Sequence, residues 1–400
     1  MSTTLSQAEE REAQYLFPTY ARVPLLLERG KGVFLYDSDG KRYLDCITGI
    51  GVNALGYAHP RILAVLREQS RKLIHSSNLF YNEYQGRLGE KLAQLSGMER
   101  AFFTVSGAEA IEGALKVARS VGRRSSPDKI EVVSLAHSFH GRTLGALSVT
   151  GQPKYRAPFG PLLPGVTFVQ ANDAAGLASA VSAKTCAIIL EVVQGEGGVR
   201  ELQPEFLAAA AELARQYSAC LICDEIQCGL GRTGKAFAYQ GHGLQPDIVT
   251  TAKPLACGYP LGAILARGAA ATALTAGTHG TTFGGGPLAC RLALEFLEIV
   301  DNPSMYAHIQ TLGAYMKEAM LRLAANHAVV REVRGRGLML GMELEKPAKP
   351  AVQRMQELGV IANVTHDTTI RMLPPYILEE KHADRALKAL AKGIRAVQSK

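Results

Sequence analysis

Short apolar segments alternate with longer helical patterns through the middle of this 400-residue chain. Because the segments are apolar at nearly every position, they suit strands that are buried on both faces of a sheet. Helical patterns separate them, for example at residues 108–120 and from Pro204 to Tyr217. This order predicts an α/β fold in which helices flank a mostly parallel mixed sheet. The predicted strands are AFFTV (101–105), EVVSLA (131–136), VTFVQ (166–170), CAIILEVV (186–193), ACLICD (219–224), DIVTTA (247–252) and LGAILA (261–266).

Two further parts flank this region. Residues 32–46 alternate apolar and polar side chains around an Asp39-Gly40 turn, which is typical of a hairpin. The last hundred residues mix helices and strands and predict a smaller α+β domain. Its predicted helices span residues 305–326, 351–359 and 381–398, and its predicted strands lie around 338–344 and 369–373. The predicted domains are an N-terminal segment with the hairpin, packed on the small domain (1–59), a large domain (60–300) and the small domain (301–400).

Composition and charge argue against several classes of protein. The N-terminal residues are too polar for a secretory signal, and no apolar run reaches the roughly 18–20 residues of a membrane helix, so we expect a cytoplasmic protein without membrane spans. The net charge of +8 is scattered, with no basic block and few aromatic side chains, which argues against a nucleic-acid partner. Such a surface favours anionic small-molecule substrates instead.

The seven cysteines lie mostly within apolar runs, which predicts reduced and packed thiols. Cys220 and Cys223 have the spacing of a redox or zinc motif, but on a strand their side chains point to opposite faces. No second pair of ligands has a matching spacing. We therefore expect no metal site.

An acid and a lysine follow two of the predicted strands. Asp224 ends the segment 219–224, with Gln227 three residues later, and Lys253 directly follows 247–252. A pyridoxal phosphate site needs an acid that holds a ring nitrogen protonated and a lysine that forms an imine. The two positions therefore predict that cofactor.

Two other strand ends carry groups suited to the same ligand. Ser106, Gly107 and Ala108 stand where a strand leads into a helix, and N–H groups at a helix start bind phosphate. Alone, a Ser-Gly turn of this kind usually indicates only a helix cap. Downstream, Phe139 could stack on a flat cofactor ring and Arg142 could hold a carboxylate with two hydrogen bonds.

Taken together, these motifs resemble the class III, fold-type I pyridoxal phosphate aminotransferases, and within them most closely the acetylornithine aminotransferases. The resemblance extends from about Tyr20 to the C-terminal helix. It rests on GIGVNALGYAHP (49–60), SGAEA (106–110), FHGRT (139–143), VQGEGGV (193–199), DEIQCGLGRTG (224–234), AKPL (252–255), HGTTFGG (279–285) and RMLPP (371–375).

The resemblance implies a role for each cofactor-binding residue. Lys253 would form the imine with the cofactor and then move the proton during catalysis, while Asp224 would hold the pyridine nitrogen protonated. Gln227 would hydrogen-bond the ring hydroxyl and Phe139 would stack on the ring. The other cofactor contacts implied are Ser106, Gly107, Ala108, Glu225, Ile226 and Thr282, with Gly107 and Ala108 donating to the phosphate.

The resemblance also implies how substrates and subunits meet. Arg371 would take the α-carboxylate of glutamate, and Glu196 would screen Arg371 while an ω-amino donor is bound. Arg142 would then hold the distant carboxylate of that donor. Thr282 would reach the phosphate of a neighbouring subunit, with Thr281 near the substrate. A homodimer with shared active sites follows.

The reaction implied is a step of arginine biosynthesis: N-acetylornithine and 2-oxoglutarate give N-acetylglutamate 5-semialdehyde and glutamate, by a ping-pong mechanism through pyridoxamine phosphate. Ornithine, succinylornithine, 4-aminobutyrate and lysine-pathway amines remain alternative donors. A pyridoxal phosphate aminomutase or racemase, and a binding protein without catalysis, are alternatives of other classes.

Individual positions depart from the family pattern. Ile50 stands where enzymes acting on free ornithine usually place a tyrosine, which favours acetylornithine or 4-aminobutyrate. Gly286 replaces the usual asparagine before Pro287, which predicts a looser turn near Thr282. Whether Tyr20 and Asn53 contact substrate stays open.

Overall fold

The computed structural model describes residues 3–398, so residues 1–2 and 399–400 of the predicted first and last domains lie outside it. Its strands are β1 Leu27–Lys31, β2 Phe34–Asp37, β3 Arg42–Asp45, β4 Arg100–Thr104, β5 Glu131–Leu135, β6 Val166–Val169, β7 Thr185–Leu190, β8 Val193–Gln194, β9 Arg200–Glu201, β10 Cys220–Asp224, β11 Ile248–Thr251, β12 Gly262–Ala266, β13 Val330–Arg336, β14 Met339–Leu344, β15 Val360–Ile361, β16 Asn363–Thr365 and β17 Thr369–Met372.

Its α-helices are α1 Leu5–Tyr15, α2 Thr48–Gly51, α3 Pro60–Gln69, α4 Glu83–Ser96, α5 Gly107–Arg123, α6 Leu144–Ser148, α7 Pro153–Arg156, α8 Ala174–Ala180, α9 Pro204–Gln216, α10 Pro287–Val300, α11 Pro303–Ala325, α12 Lys349–Glu357 and α13 Glu380–Gln398. Short 3-10 helices span Ala157–Phe159, Ala238–His242, Lys253–Ala256 and Ala270–Thr272. Within the described part of the chain, no helix is both long and apolar enough to cross a membrane.

The strands predicted for the middle of the chain pair into one sheet. Within residues 3–398 this sheet has seven strands in the order β4-β12-β11-β10-β7-β5-β6. The neighbours from β11 to β6 run parallel, whereas β12 runs antiparallel to both β4 and β11. The predicted mostly parallel sheet is therefore confirmed, and β12 is the strand that reverses direction.

Helices cover the faces of this sheet and bury its central strands. Every residue of β7, β10, β11 and β12 is buried, as expected for strands apolar on both faces. Ala110, Ala114 and Ala118 recur every four residues on the buried side of α5 and let it approach the sheet closely. A Cβ at Gly113 would lie 2.1 Å from Cδ1 of Ile264 on β12, so any larger residue would have to push this side chain aside.

The N-terminal and C-terminal regions share a second sheet. The hairpin predicted around Asp39 and Gly40 is confirmed by the antiparallel pairing of β2 with β3. Strand β15, from the last hundred residues, joins β3 in parallel, and Val360 is paired with Leu44. Strands β13-β14-β17-β16 form a separate antiparallel sheet. The predicted C-terminal helices are found within a few residues as α11, α12 and α13. The domain boundaries at 59/60 and 300/301 stay a prediction.

The cysteines are free thiols in the structure. Six of the seven are buried and Cys257 is half-buried, which confirms the prediction that they pack among apolar side chains. Cys220 and Cys223 on β10 belong to the cores on opposite faces of the sheet, as their spacing on a strand predicts.

A buried arginine ties the loop after β10 to the C-terminal sheet. Nη1 of Arg232 donates to the carbonyl oxygens of Leu338 (3.1 Å) and Pro374 (2.5 Å). Its guanidinium carbon lies 4.6 Å from the ring centroid of Tyr376, whose hydroxyl donates to the carbonyl of Leu230 (3.0 Å). These contacts hold the segment after β17 against the loop after β10.

We expect Ile188→Ala to lower the free energy of unfolding by about 2–5 kcal/mol, because Ile188 is fully buried on β7 and its removal leaves a cavity. Urea titration measures the change. The matched control is Leu321→Ala on α11, where the side chain is exposed, with an expected change within about 0.5 kcal/mol. Equal losses in the two variants would contradict this account of the core.

Candidate active site

The carboxyl ends of five strands surround a cavity of about 400 Å³. Strands β4, β5, β7, β10 and β11 leave the sheet at this edge, where open α/β sheets bind ligands. The loops and helices that follow them supply the walls. The predicted site residues lining the cavity are Ser106, Gly107, Ala108, Phe139, Arg142, Glu196, Asp224, Ile226, Gln227 and Lys253.

Asp224, the last residue of β10, is buried beside this cavity. Its Oδ1 accepts hydrogen bonds from the backbone N–H of Ile226 (3.0 Å) and the hydroxyl of Thr250 (3.3 Å). Its Oδ2 lies 2.6 Å from Nδ1 of the buried His140. Burial alone would lower the pKa of His140, but the Asp224 carboxylate raises it above its usual value. The pair forms a buried, oriented acceptor for a protonated ring nitrogen.

Glu191 links two loops of the site. Its Oε1 accepts from the backbone N–H of Phe139 (2.9 Å), and its Oε2 accepts from that of Gly195 (3.1 Å). Burial raises the pKa of Glu191 to about 7. The side chain of Glu191 therefore fixes the position of Phe139 relative to the loop that carries Glu196.

Lys253 follows β11 at the start of a 3-10 helix. Its φ of 41° lies in the left-handed region, which residues other than glycine seldom occupy and which is enriched at functional sites. Burial lowers the pKa of Lys253, although the carboxylates of Glu196 and Asp224 oppose the shift. A lower pKa increases the fraction of neutral amine, which is the nucleophilic form.

The start of α5 could hold a phosphate. The first N–H groups of a helix have no partner within it, and Gly107 and Ala108 present theirs at the cavity. The hydroxyl of Ser106 accepts from the N–H of Glu109 (3.2 Å) and caps the helix. A Cβ at Gly107 would lie 2.8 Å from Cδ1 of Ile226, so glycine keeps this wall open.

Arg371 lies behind the cavity wall, in the middle of the sheet that contains β17. It is fully buried, and its Nη1 donates to Oε1 of Glu196 (2.5 Å) and Oε1 of Gln227 (3.1 Å). Nε donates to Oδ1 of Asn363 (3.2 Å), while Nη2 has no hydrogen-bond partner among the described residues. Moving Glu196 aside would expose a guanidinium already oriented for a carboxylate.

Besides Arg371, three predicted residues lie outside the cavity. The buried carboxylate of Glu225 accepts from the backbone N–H groups of Ala238 and Tyr239, both at 2.9 Å, and burial raises its pKa to about 7. Thr281 and Thr282 lie on the loop before α10, and Thr282 is exposed. One chain alone does not bring these two hydroxyls to the other site residues.

Ile50 and Gly286, two residues that differ from the family pattern, both lie in turns. Ile50 is exposed in α2, which is a single left-handed turn, because Thr48, Gly49, Ile50 and Gly51 all have positive φ, from 49° to 84°. A Cβ at Gly51 would lie 3.8 Å from Cδ of Lys253, so this strained turn borders the lysine. Gly286 caps α10 without a side-chain hydrogen bond. Its N–H donates to the carbonyl of Phe283 (3.3 Å), which closes the turn.

Two residues of the site, His140 and Glu191, were not predicted from the sequence. His140 stands beside Phe139 in FHGRT, and Glu191 is an acid within the buried segment CAIILEVV. A charge inside an apolar strand, or a histidine next to a proposed ring contact, was the available signal.

Comparison with known proteins decides the family. A family model described as "Aminotransferase class-III" matches residues 16–394. The chain belongs to the class-III aminotransferases. It is 44% identical over 377 residues to an acetylornithine aminotransferase of Aquifex aeolicus, covering 94% of this chain and 98% of the relative. It is also 44% identical over 380 residues to the one from Methanocaldococcus jannaschii, covering 95% and 96%.

Solved structures agree with this class-III assignment. The ornithine aminotransferase of Toxoplasma gondii superposes with a TM-score of 0.95 at 31% identity, covering 100% of this chain and 96% of that one. The acetylornithine aminotransferase of Elizabethkingia anophelis gives a TM-score of 0.87 at 29% identity, covering 98% and 100%. The chain is therefore a pyridoxal phosphate-dependent aminotransferase, as its motifs predicted.

The residues of this class-III aminotransferase fit its cofactor. Gly107 and Ala108 offer free N–H groups to a phosphate, and Asp224 offers a buried carboxylate to a ring nitrogen. Lys253 lines the same cavity with an amine of lowered pKa, and Phe139 provides an aromatic wall. These groups are the ones that we propose hold pyridoxal phosphate.

We expect Glu191→Ala to lower stability and weaken cofactor binding, because two buried N–H groups lose their acceptor at about 1–3 kcal/mol each. Urea titration and equilibrium dialysis against pyridoxal phosphate measure the two effects. Glu191→Gln keeps one acceptor oxygen and should show a smaller loss. Glu9→Ala on the exposed face of α1 is the control, and a loss of the same size there would contradict the role.

The same glutamate predicts a pH dependence. The pKa of Glu191 rises from 4.5 to about 7 in the folded state, so the unfolded chain binds fewer protons between these values. The Glu191 contribution to stability is thus present at low pH and lost as pH rises through about 7. Glu191→Gln should therefore be more stable, relative to wild type, at pH 8 than at pH 5. Parallel pH profiles of unfolding would contradict this.

Proposed function

We propose that this aminotransferase moves the terminal amino group of N-acetylornithine to 2-oxoglutarate, giving N-acetylglutamate 5-semialdehyde and glutamate. The names of its relatives in Aquifex aeolicus and Methanocaldococcus jannaschii support this donor. The structural observation that carries the proposal is the contrast between two arginines. Arg371 is covered by Glu196 at 2.5 Å, whereas Arg142 is open to the cavity.

This contrast suits an ω-amino donor. N-acetylornithine has no carboxylate beside its reacting amine, so Glu196 can stay on Arg371 while this substrate is bound. Its carboxylate lies at the other end of the molecule and would pair with Arg142. The reacting amine would then lie towards Lys253, on the same cavity.

Pyridoxal phosphate, when bound, supplies an electron-poor ring that accepts the electron pair left on the substrate carbon after proton loss. Asp224, oriented by His140, would accept a hydrogen bond from the ring nitrogen and favour its protonated form. Lys253 would take and return the proton at the substrate carbon, since burial lowers its pKa and supplies neutral amine. Phe139 would cover a ring face and exclude water.

The acceptor half of the reaction needs Arg371 uncovered, because 2-oxoglutarate has a carboxylate beside its reacting carbonyl. Burial alone would raise the pKa of Glu196, but Arg371 lowers it, so Glu196 stays charged and paired. The backbone of Glu196 is held by the hydroxyl of Thr365, which donates to its carbonyl (2.7 Å). We therefore expect the side chain of Glu196, rather than its loop, to turn away.

We expect N-acetylornithine, added without an oxoacid, to change the visible absorption band of the holoenzyme, and 2-oxoglutarate to restore it. Stopped-flow absorbance measures both half-reactions. Ornithine, succinylornithine and 4-aminobutyrate are tested in parallel. 4-Aminobutyrate should react more slowly, since its carboxylate lies one carbon closer to its reacting amine and would not reach Arg142 in the same pose. Ornithine and succinylornithine share both ends of N-acetylornithine, so their rates measure what the acetyl group contributes. A faster reaction with any of these three would contradict the proposed donor.

We further propose a homodimer with shared active sites. Leu79 and Phe80 are 87% and 69% exposed, and Tyr81 is fully exposed. Three consecutive exposed apolar side chains suit a surface that another protein covers. The side chain of Asn78 donates to the carbonyl of Thr281 (3.1 Å), which joins this apolar segment to the loop of Thr282. If a second copy covers this segment, Thr282 of one subunit would approach the cavity of the other subunit. The separation of Thr282 from the cavity of the chain that carries it supports this arrangement.

We expect Phe80→Asp to convert the dimer to monomers, since a charge would be buried in the interface. Sedimentation velocity measures this change. A second variant, Thr282→Ala, should stay dimeric and should weaken pyridoxal phosphate binding. Leu321→Asp, an equally drastic change at an exposed leucine on α11, is the control and should stay dimeric. A Phe80→Asp protein that remains dimeric would contradict the interface.

A further inference from the structure

Arg142 is held by aromatic rings rather than by an anion. Its guanidinium carbon lies 3.6 Å from the ring centroid of Tyr155 and 5.5 Å from that of Phe139. Among the described residues, no hydrogen bond or ion pair engages its N–H groups. The cation is thus oriented at the cavity while its donors stay free.

The ring of Tyr155 is itself firmly placed. Tyr155 lies on α7, and its ring meets that of Phe139 edge-on, with centroids 6.1 Å apart and planes at 85°. The segment before α7 is bonded to the loop of Phe139, because the N–H of Gly151 donates to the hydroxyl of Ser138 (3.0 Å). The N–H of His140 likewise donates to the hydroxyl of Thr150 (3.0 Å). Arg142 and Tyr155 therefore share one rigid support.

An arginine guanidinium can stack on an aromatic ring and still present its N–H groups to a carboxylate. At 3.6 Å from the centroid, the guanidinium of Arg142 lies over the ring of Tyr155. A free arginine side chain would have to lose its rotamer freedom on binding a carboxylate, whereas a stacked one has already lost it. The exposed Lys154, with Nζ 5.2 Å from the ring of Tyr155, adds positive charge at the same place. Arg142, supported by Tyr155 and Lys154, is therefore suited to bind a substrate carboxylate that lies far from the reacting amine.

We propose that Tyr155 is a positioning residue for specificity: its ring holds Arg142 so that the enzyme selects substrates with a carboxylate far from the reacting group. The proposal rests on the proposed function for the identity of the amino donor. The hydroxyl of Tyr155 has no hydrogen-bond partner within residues 3–398, so the ring is the part that acts.

The test compares Tyr155→Leu, which removes the ring, with Tyr155→Phe, which keeps it. The two donors are N-acetylornithine and N-acetyl-1,4-diaminobutane, which is the same molecule without the carboxylate. Stopped-flow half-reactions of the holoenzyme give the preference for the first donor over the second. We expect Tyr155→Leu to reduce this preference about 3- to 30-fold, as the loss of a cation–π contact implies, and Tyr155→Phe to retain it.

Equilibrium binding provides a readout that needs no turnover. Calorimetry on the holoenzyme compares glutarate with butanoate, which lacks the second carboxylate. Tyr155→Leu should weaken glutarate binding by a similar factor and leave butanoate binding nearly unchanged. Thermal unfolding of both variants verifies that they are folded.

The outcomes separate the two proposals. If Tyr155→Leu slows both donors equally, or weakens glutarate and butanoate equally, the ring is only structural and the inference is wrong. If wild type does not react with N-acetylornithine, the proposed donor is wrong, while a selective loss of glutarate binding in Tyr155→Leu still supports the role of Tyr155.

Discussion

The pairing of buried charges at the carboxyl ends of the central strands is the constraint on which the site depends. Asp224, Glu191 and Arg371 are buried, and each would cost several kcal/mol if left without partners. Asp224 is paired with His140, Arg371 with Glu196, and Glu191 with two backbone N–H groups. These partners come from different strands and loops, so the arrangement of the strands determines which buried charges come together.

The sequence predicted the central sheet well because strands buried on both faces must be apolar throughout. It did not predict that β12 runs antiparallel, although fewer than the roughly dozen residues of a parallel crossover separate it from β11. The pairing of Val360 with Leu44 was also missed. A two-residue strand has too short a pattern to reveal a partner more than three hundred residues away.

The site was predictable where a residue follows its own strand, as Asp224 and Lys253 do, because parallel strand ends converge at one edge. Partners were not predictable by the same logic. His140 lies 84 residues from Asp224 along the chain, and both contacts of Glu191 are to backbone N–H groups, which every sequence offers. Such pairings depend on the completed fold. The resemblance to the family implied roles for other residues of the site, but none for His140 or Glu191.

In the proposed reaction, two arginines explain how one cavity serves two substrates. Arg371 is held by a charged partner, and in the proposed reaction its positive charge becomes available when Glu196 turns away and a substrate carboxylate replaces it. Arg142 is held over the ring of Tyr155, a contact that uses none of its N–H groups. In this proposal, Arg371 can bind a substrate carboxylate only after its carboxylate partner moves. Arg142 can bind one at any time, because its aromatic partner leaves its N–H groups free.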